Sequence, residues 1–293
     1  MSVNPEETRT VLVVGADGTL GRALAKACEQ EGDTVLETTR RPPPSPTNRI
    51  LLDLSQPKCF PEFSRPLDIT FVCAGATKLA ACEQNPIDTT RVNVDGTVAL
   101  VQSLLATGSW IVFLSTNLVF DGSVSYRSAN DLPCPTCEYG RQKASAEKQL
   151  LTLSPKVAVL RLSKVVDCGS EPFSSWFQAL SNRESVEAFT DKVCAPLSIQ
   201  STVSLLLSLA RKRAGGLFQA SASHDLTYAE AAALLAQQAG AHPEQVLPVR
   251  GKDRGIPASF LPRHTTLEPS QRLIELGWTP PDPKVALLEG LEK

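Results

Sequence analysis

Four residues between positions 115 and 143 have the types and spacing to move a proton to or from a carbonyl oxygen. Ser115 and Thr116 close an apolar run, Trp-Ile-Val-Phe-Leu, that reads as a buried strand. Tyr139 and Lys143 stand four apart in a stretch of helical character and so share one helix face. An ammonium beside a phenol favours the phenolate and makes the phenol a usable acid near neutral pH. A Thr116 hydroxyl at the end of its strand would hydrogen-bond the carbonyl. The chemistry expected is carbonyl reduction or its reverse. Tyr139 is the acid, Lys143 its tuner and Thr116 the orienter, with a nicotinamide carrying the hydride.

Such chemistry needs a frame that holds a dinucleotide, and the chain before residue 115 has the pattern of one. Residues 10–14, Thr-Val-Leu-Val-Val, predict a strand buried on both faces. Gly15, Gly18 and Gly21 follow in GxxGxxG spacing and lead into a helical stretch. Glycines let the backbone turn tightly against a pyrophosphate, and the helix start offers it free N–H groups. Asp17, Thr19 and Leu20 lie in the same turn and are expected beside the cofactor. A second strand, 34–38, runs into Arg40 and Arg41. An acid there would take the ribose hydroxyls of NAD, whereas arginine suits the 2′-phosphate of NADP. The basic pair therefore favours NADP(H) over NAD(H), the alternative being a solvated pair before a loop.

The alternation continues. Residues 50–54 predict a third strand ending at Asp53 and Leu54, and 69–76 a fourth that opens into Ala74, Gly75 and Ala76. Small residues there would let a cofactor lie flat across the strand ends. A helix is expected over 86–106, a fifth strand over 110–116 and a sixth over 157–162. Strands and helices at this spacing predict an α/β fold with a doubly wound parallel (Rossmann) sheet. Its carboxyl edge would carry the glycine turn, Gly75 and Thr116.

After residue 165 the pattern loosens. Helices are expected at 173–180 and 203–209, and a strand at 217–220. A capping box at Thr227 and Glu230 opens a helix to about 240, 243–262 is loop-rich, and further helices fall at 267–277 and 283–291. The organisation expected is a dinucleotide-binding domain over 1–165, with returning segments near 190–222. A smaller, partly interleaved C-terminal substrate lobe covers 166–189 and 223–293. The prolines at 42–46 read as a rigid loop, not a boundary, since the alternation resumes after them. No internal repeat is present.

The net charge of −2 over 293 residues argues against nucleic acid as a partner. No apolar run reaches membrane-spanning length, and the first ten residues lack the apolar centre of an export signal. A cytoplasmic protein without membrane partners is expected, and its eight cysteines then read as free thiols. Only Cys134 and Cys137 have redox or metal spacing. The three histidines, His224, His242 and His264, lie far from them in sequence, so no metal is expected.

These features together resemble the extended short-chain dehydrogenase/reductases, and within them the dTDP-4-dehydrorhamnose reductases, over nearly the whole chain. Gly15, Gly18 and Gly21 match the cofactor turn, and Asp53-Leu54 the acid–apolar pair that contacts adenine. Residues 73–77, Cys-Ala-Gly-Ala-Thr, are similar to the family's Asn-Ala-Ala or Asn-Ala-Gly segment. Arg91-Val-Asn93 resembles its helix with a structural Asn. Residues 115–122, Ser-Thr-Asn-Leu-Val-Phe-Asp-Gly, are close to the reductases' Ser-Thr-Asp-Tyr-Val-Phe-Asp-Gly. Tyr139 to Glu147 matches the catalytic helix. Residues 159–163 match the strand leading to the substrate lobe, 191–197 its Asp-Gln-x-Gly-x-Pro-Thr loop, and 263–267 its C-terminal Arg-Pro segment.

The resemblance implies catalytic roles for Thr116, Tyr139 and Lys143. It adds Asn93 and Ser115, with Tyr139 and Lys143 themselves, to the cofactor contacts. Thr77, Asn117, Val119, Phe120, Trp176, Pro196 and Arg263 are placed on the substrate side. NADPH would reduce the C4 ketone of a nucleotide-linked 6-deoxy sugar, and a homodimer is compatible with the family. The triplet Ser115-Thr116-Asn117 differs from the sugar-nucleotide dehydratases, which carry acids beside the threonine. The chain also departs from the reductases. Asn117 and Leu118 replace Asp and Tyr, Cys73 replaces Asn, and residues 163–166, Ser-Lys-Val-Val, lack the usual aromatics. These changes gather near the substrate more than the cofactor. Two other readings follow: a non-catalytic regulatory subunit like the methionine adenosyltransferase β subunit, and an epimerase. An epimerase needs tightly held NAD, which Arg40 and Arg41 oppose.

Overall fold

The computed structural model describes residues 8–41, 49–63 and 66–292. The first seven residues and the proline-rich segment at 42–46, on which the leader and loop readings rest, lie outside them. Strand β1 (Thr10–Val14) is buried from Val11 onward, as a β-branched run covered on both faces must be. It pairs in parallel with β2 (Thr34–Thr39) on one side and β4 (Ile69–Val72) on the other. β3 (Arg49–Leu51) adds in parallel to β2, and β5 (Trp110–Thr116) to β4. With β6 (Val157–Leu162) and the strand Gly216–Ala220, the order is 216–220, β6, β5, β4, β1, β2, β3. The direction of strand addition reverses between β1 and β4. That switch opens a crevice at the carboxyl ends of the strands, where open α/β sheets bind ligands.

Three elements differ from their sequence patterns, each for a local reason. β3 stops at Leu51, so Asp53 and Leu54 lie past its end. Asp53 leaves the ladder to accept from the Ser55 N–H at 2.9 Å and its hydroxyl at 2.8 Å. The helix expected over 86–106 is Pro86–Thr90, a π turn at Arg91–Gly96, then Thr97–Ala106. Gly96 sits in that turn because a Cβ there would stand 1.7 Å from the Leu54 carbonyl oxygen. The helix expected at 267–277 is reduced to Gln271–Glu275. Glu268 instead donates its N–H to the Arg127 carbonyl at 3.1 Å, and Pro269 has no N–H to give. A strand in the loop-rich stretch, Val246–Val249, pairs in parallel with Val186–Phe189. The capping box at Thr227 is formed, and opens the helix Tyr228–Gln238.

Two compact units emerge. The first comprises residues 1–115, 142–160 and 205–217, with a core that includes Leu12, Val14, Leu54, Leu100, Phe113 and Leu150. The second comprises 116–141, 161–204 and 218–293, built around Phe173, Trp176, Leu180, Tyr228 and Leu235. No helix among the described residues is long and apolar enough to cross a membrane.

Candidate active site

In the first unit the glycine turn is set by backbone contact. Gly15 has φ +90, and a Cβ on it would lie 2.8 Å from the Ala74 backbone, so β1 and the turn after β4 touch directly. A Cβ on Gly21 would stand 2.3 Å from the Gly15 carbonyl oxygen, so the helix starts flush against the loop. That helix, Thr19–Gln30, begins at Gly18 with no side-chain cap and no acid in its first turn. Its leading N–H groups, from Thr19, Leu20 and Gly21, and its positive dipole end suit an anionic ligand. Asp17 is engaged sideways. It accepts from the Thr39 hydroxyl at 2.6 Å and pairs with Arg49 at 3.1 Å, which ties the turn to the end of β2.

Arg40 and Arg41 follow β2 and are exposed. The Ser55 backbone and side-chain hydrogen bonds hold Asp53 below the usual carboxylate range, and the charge of Arg40 adds to this. Ala74, Gly75 and Ala76 are fixed from the π turn. Asn93 is buried, accepts from the Ala76 N–H at 2.7 Å and donates back to its carbonyl at 2.9 Å. The same amide donates to Gln142 at 2.7 Å, and Gln142 donates to Thr89 at 2.9 Å. A π turn places an extra residue at a point where side chains must converge, which is a frequent use of this irregularity.

Lys143 and Ser115 are held by the same helix, Glu138–Leu153. Lys143 is 5% exposed, donates to the Leu114 carbonyl at 2.6 Å and lies 4.0 Å from the centre of the Phe113 ring. Burial pushes its pKa down to about 8, against the opposing pull of Glu147. Burial likewise pushes the Cys73 thiol up to about 12. Ser115 donates to buried Glu147. Gln142 and Glu147 flank Lys143 at −1 and +4 and form contacts that the YxxxK pattern alone does not announce. The +4 position of Glu147, on the lysine's face, is the signal that points to it.

In the second unit, Thr116 ends β5 and caps the short turn Asn117–Val119, accepting from the Leu118 N–H at 3.2 Å. Its hydroxyl reaches Asn117 only at 3.4 Å, a long contact that leaves the proton easy to redirect. Tyr139 opens the helix Glu138–Leu153 and is 9% exposed. Beside it, Gly140 has no room for a Cβ, which would stand 2.1 Å from the Leu118 carbonyl oxygen. The turn after Thr116 and the helix start at Tyr139 are thus held backbone to backbone. Cys134 and Cys137 serve the same junction. Cys134 donates its N–H to the Val119 carbonyl at 2.9 Å, and the Cys137 sulfur accepts from the Gly140 N–H at 3.4 Å. Both are free thiols, and no group of three or more metal-ligating side chains occurs among the described residues.

The remaining substrate-side candidates divide. Asn117 and Phe120 line a small cleft with Arg127, His264 and Thr265. Val119, Trp176 and Pro196 are buried, Trp176 within the core of the second unit. Thr77, in the first unit, and Arg263 are exposed.

A glycine turn over a doubly wound sheet, with a Thr at the end of β5 and a Tyr and Lys on one helix, defines an extended short-chain dehydrogenase/reductase. A family model described as RmlD substrate binding domain matches residues 9–292, and the chain belongs to that family. It is 28% identical over 208 residues to a dTDP-4-dehydrorhamnose reductase of Aggregatibacter actinomycetemcomitans, covering 69% of this chain and 67% of that protein. It is 32% identical over 155 residues to methionine adenosyltransferase 2 subunit beta of Pongo abelii, covering 53% of this chain and 46% of the relative. Its fold is that of the dTDP-4-dehydrorhamnose reductase of Bacillus anthracis str. Ames, solved in complex with NADP. The TM-score is 0.83 at 19% identity, over 97% of this chain and 98% of that one.

Proposed function

We propose that the protein is an NADPH-dependent reductase of the C4 ketone in a nucleotide-linked 6-deoxy-4-keto sugar. The observation that carries this is the Gly140–Leu118 contact, which fixes Tyr139 beside the turn that Thr116 caps. The first unit suits the dinucleotide. The uncapped helix start at Thr19–Gly21 takes the pyrophosphate, Asp53 and Leu54 border the adenine, and Arg40 and Arg41 meet a 2′-phosphate. Ala74, Gly75, Ala76 and Asn93 form the floor under the nicotinamide half. NADPH, when bound, supplies a hydride to the carbonyl carbon.

The chain's own residues do the rest. Thr116 donates its weakly held proton to the carbonyl oxygen and orients it. Tyr139 gives that oxygen a full proton as the new C–H bond forms. The ammonium of Lys143 favours the phenolate left behind and holds the ribose hydroxyls. Asn117 stands where the reductase pattern this chain resembles has Asp; it hydrogen-bonds but holds no charge, so it contacts the sugar without acting as a base. The cytoplasm supplies both NADPH and nucleotide sugars, and is the setting this reading requires.

The regulatory reading is favoured by the departures at Asn117 and Leu118 and by the 32% identity to methionine adenosyltransferase 2 subunit beta, which covers 53% of this chain. One assay separates the two. Purified protein is given NADPH or NADH with a panel of dTDP- and UDP-linked 4-keto-6-deoxy sugars, and nicotinamide absorbance is followed. Oxidation with at least one sugar, faster with NADPH, is the expected result. Cofactor binding without oxidation of any member, together with copurification of another enzyme, would give the regulatory role instead.

A further inference from the structure

In the second unit two lysines lie over one cluster of aromatic rings, and neither makes a salt bridge with a described residue. Lys164 immediately precedes the strand Val165–Val166, and its carbonyl accepts from the Leu197 N–H at 2.9 Å. Lys192 immediately precedes Val193–Cys194, and its carbonyl accepts from the Tyr228 N–H at 2.9 Å. The Lys164 ammonium is 5.3 Å from the centre of the Phe173 ring and the Lys192 ammonium 4.7 Å from that of Tyr228. Those two ring centres are 5.4 Å apart, and Trp176 packs edge-on to both.

Both lysines are half-buried. Lys164 donates to the Glu171 carbonyl at 3.2 Å, and Asp167 and Glu171 act on it only at a distance. Burial pushes the pKa of Lys192 down, and the charge of Lys164 pushes it further the same way. An ammonium has three donors, so each lysine keeps capacity for an acceptor. The rings and the Glu171 carbonyl meet these two half-buried cations only in part, and an anion between them would relieve their mutual repulsion.

Both positions also depart from the reductase pattern, in the same direction. Lys164 occupies the stretch that in the reductases carries aromatics, and Lys192 stands in place of Gln. A diphosphate is common to all nucleotide-linked sugars, so a receptor for it would need no departure. A change at these two positions, like those at Asn117 and Leu118 on the substrate side, tracks what varies among the substrates, which is the sugar.

We propose that Lys164 and Lys192 form a two-point receptor for an oxyanion carried on the sugar itself, such as a carboxylate. The assignment of that anion to a sugar rests on the reductase reading, whereas the receptor rests on the two lysines. Calorimetry compares UDP-glucuronate with UDP-glucose, the matching dTDP pair, and UDP and dTDP alone, on the wild-type protein and on Lys164→Met/Lys192→Gln. The wild type is expected to bind the glucuronate form about tenfold tighter than the glucose form, as a charge-assisted contact gives. The double variant loses that preference and keeps its affinity for the free nucleotide. Equal binding of both sugars by the wild type overturns the proposal. So does a double variant that loses affinity for the free nucleotide as well, since the lysines would then hold the diphosphate.

If no nucleotide form binds, free glucuronate at high concentration must still slow acylation of Lys164 and Lys192, read by peptide mass spectrometry against glucose. Equal labelling overturns the receptor. A preference for glucuronate with no NADPH oxidation on any ketone would leave the receptor standing and remove the reductase.

Discussion

Tyr139→Phe is expected to lower kcat by about a thousandfold while the affinity for NADPH stays within about twofold, the scale on which a positioned acid contributes. The change removes one oxygen and leaves a ring that is already 9% exposed, so packing at the helix start is kept. The junction that places the ring is backbone to backbone, through Gly140 and the Leu118 carbonyl, and does not depend on the hydroxyl. Steady-state kinetics together with an NADPH fluorescence titration check both halves of the expectation. Turnover within about tenfold of wild type would mean that another group delivers the proton. A parallel collapse of NADPH affinity would mean that the hydroxyl is structural.

Burial of Lys143 is expected to make stability rise with pH. Its pKa falls from 10.5 to about 8 on folding, because burial penalises the charged form more than Glu147 and Cys73 recover. Below pH 8 the lysine is charged in both states and the folded protein bears the whole penalty. Between pH 8 and 10.5 the unfolded chain holds more protons, so rising pH favours the folded state. Above that window the residue is neutral in both states and the penalty is gone. The shift corresponds to about 3 kcal/mol. Lys143→Met has no such titration. Wild-type stability minus that of the variant should therefore rise by about 3 kcal/mol from pH 8 to 10.5 in denaturant melts of the apo protein. Turnover of the variant should fall by at least about a hundredfold. A flat difference across the window would show that Lys143 titrates normally and that its burial is not felt. The cost is the kind accepted at sites where charge is needed for chemistry, and a bound ribose would return part of it.

How much of this was legible in the sequence varies with the physical origin of each feature. β1, β5 and β6 stand where the apolar runs placed them, because strands covered on both faces leave a continuous hydrophobic record. The capping box at Thr227 was legible because its two partners are three residues apart. The π turn at Arg91–Gly96 was not. Its cause is a contact between Gly96 and Leu54, and apolar periodicity holds no trace of a close approach from elsewhere in the chain. The strand Val246–Val249 was hidden by Pro248 and by partial exposure, which erase both the propensity and the alternation expected of a strand.

At the candidate site the same division holds. The glycines, Thr116, Tyr139 and Lys143 carry their chemistry in their types and spacing, and can be picked out one by one. The supports are relational and cannot. Nothing in Gln142 itself says that it will join Asn93 to Thr89, and nothing in Gly140 says that a carbonyl will lie where its side chain would be. Lys164 and Lys192 are an intermediate case. Lys164 lies in a stretch that departs from the reductase pattern and Lys192 in a loop that resembles it, but their convergence on Phe173 and Tyr228 required the fold.

In the proposed reaction a hydride passes from NADPH to the ketone carbon while Tyr139 protonates the oxygen, and NADPH carrying deuterium at both C4 positions of the nicotinamide follows that hydride. The protein should transfer one deuterium to C4 of the deoxysugar ring, seen by mass spectrometry and proton NMR of the product, and Tyr139→Phe should make almost none. Deuterium at another carbon, product hydrogen drawn from solvent, or sugar converted with no loss of deuterium from the cofactor would contradict the account.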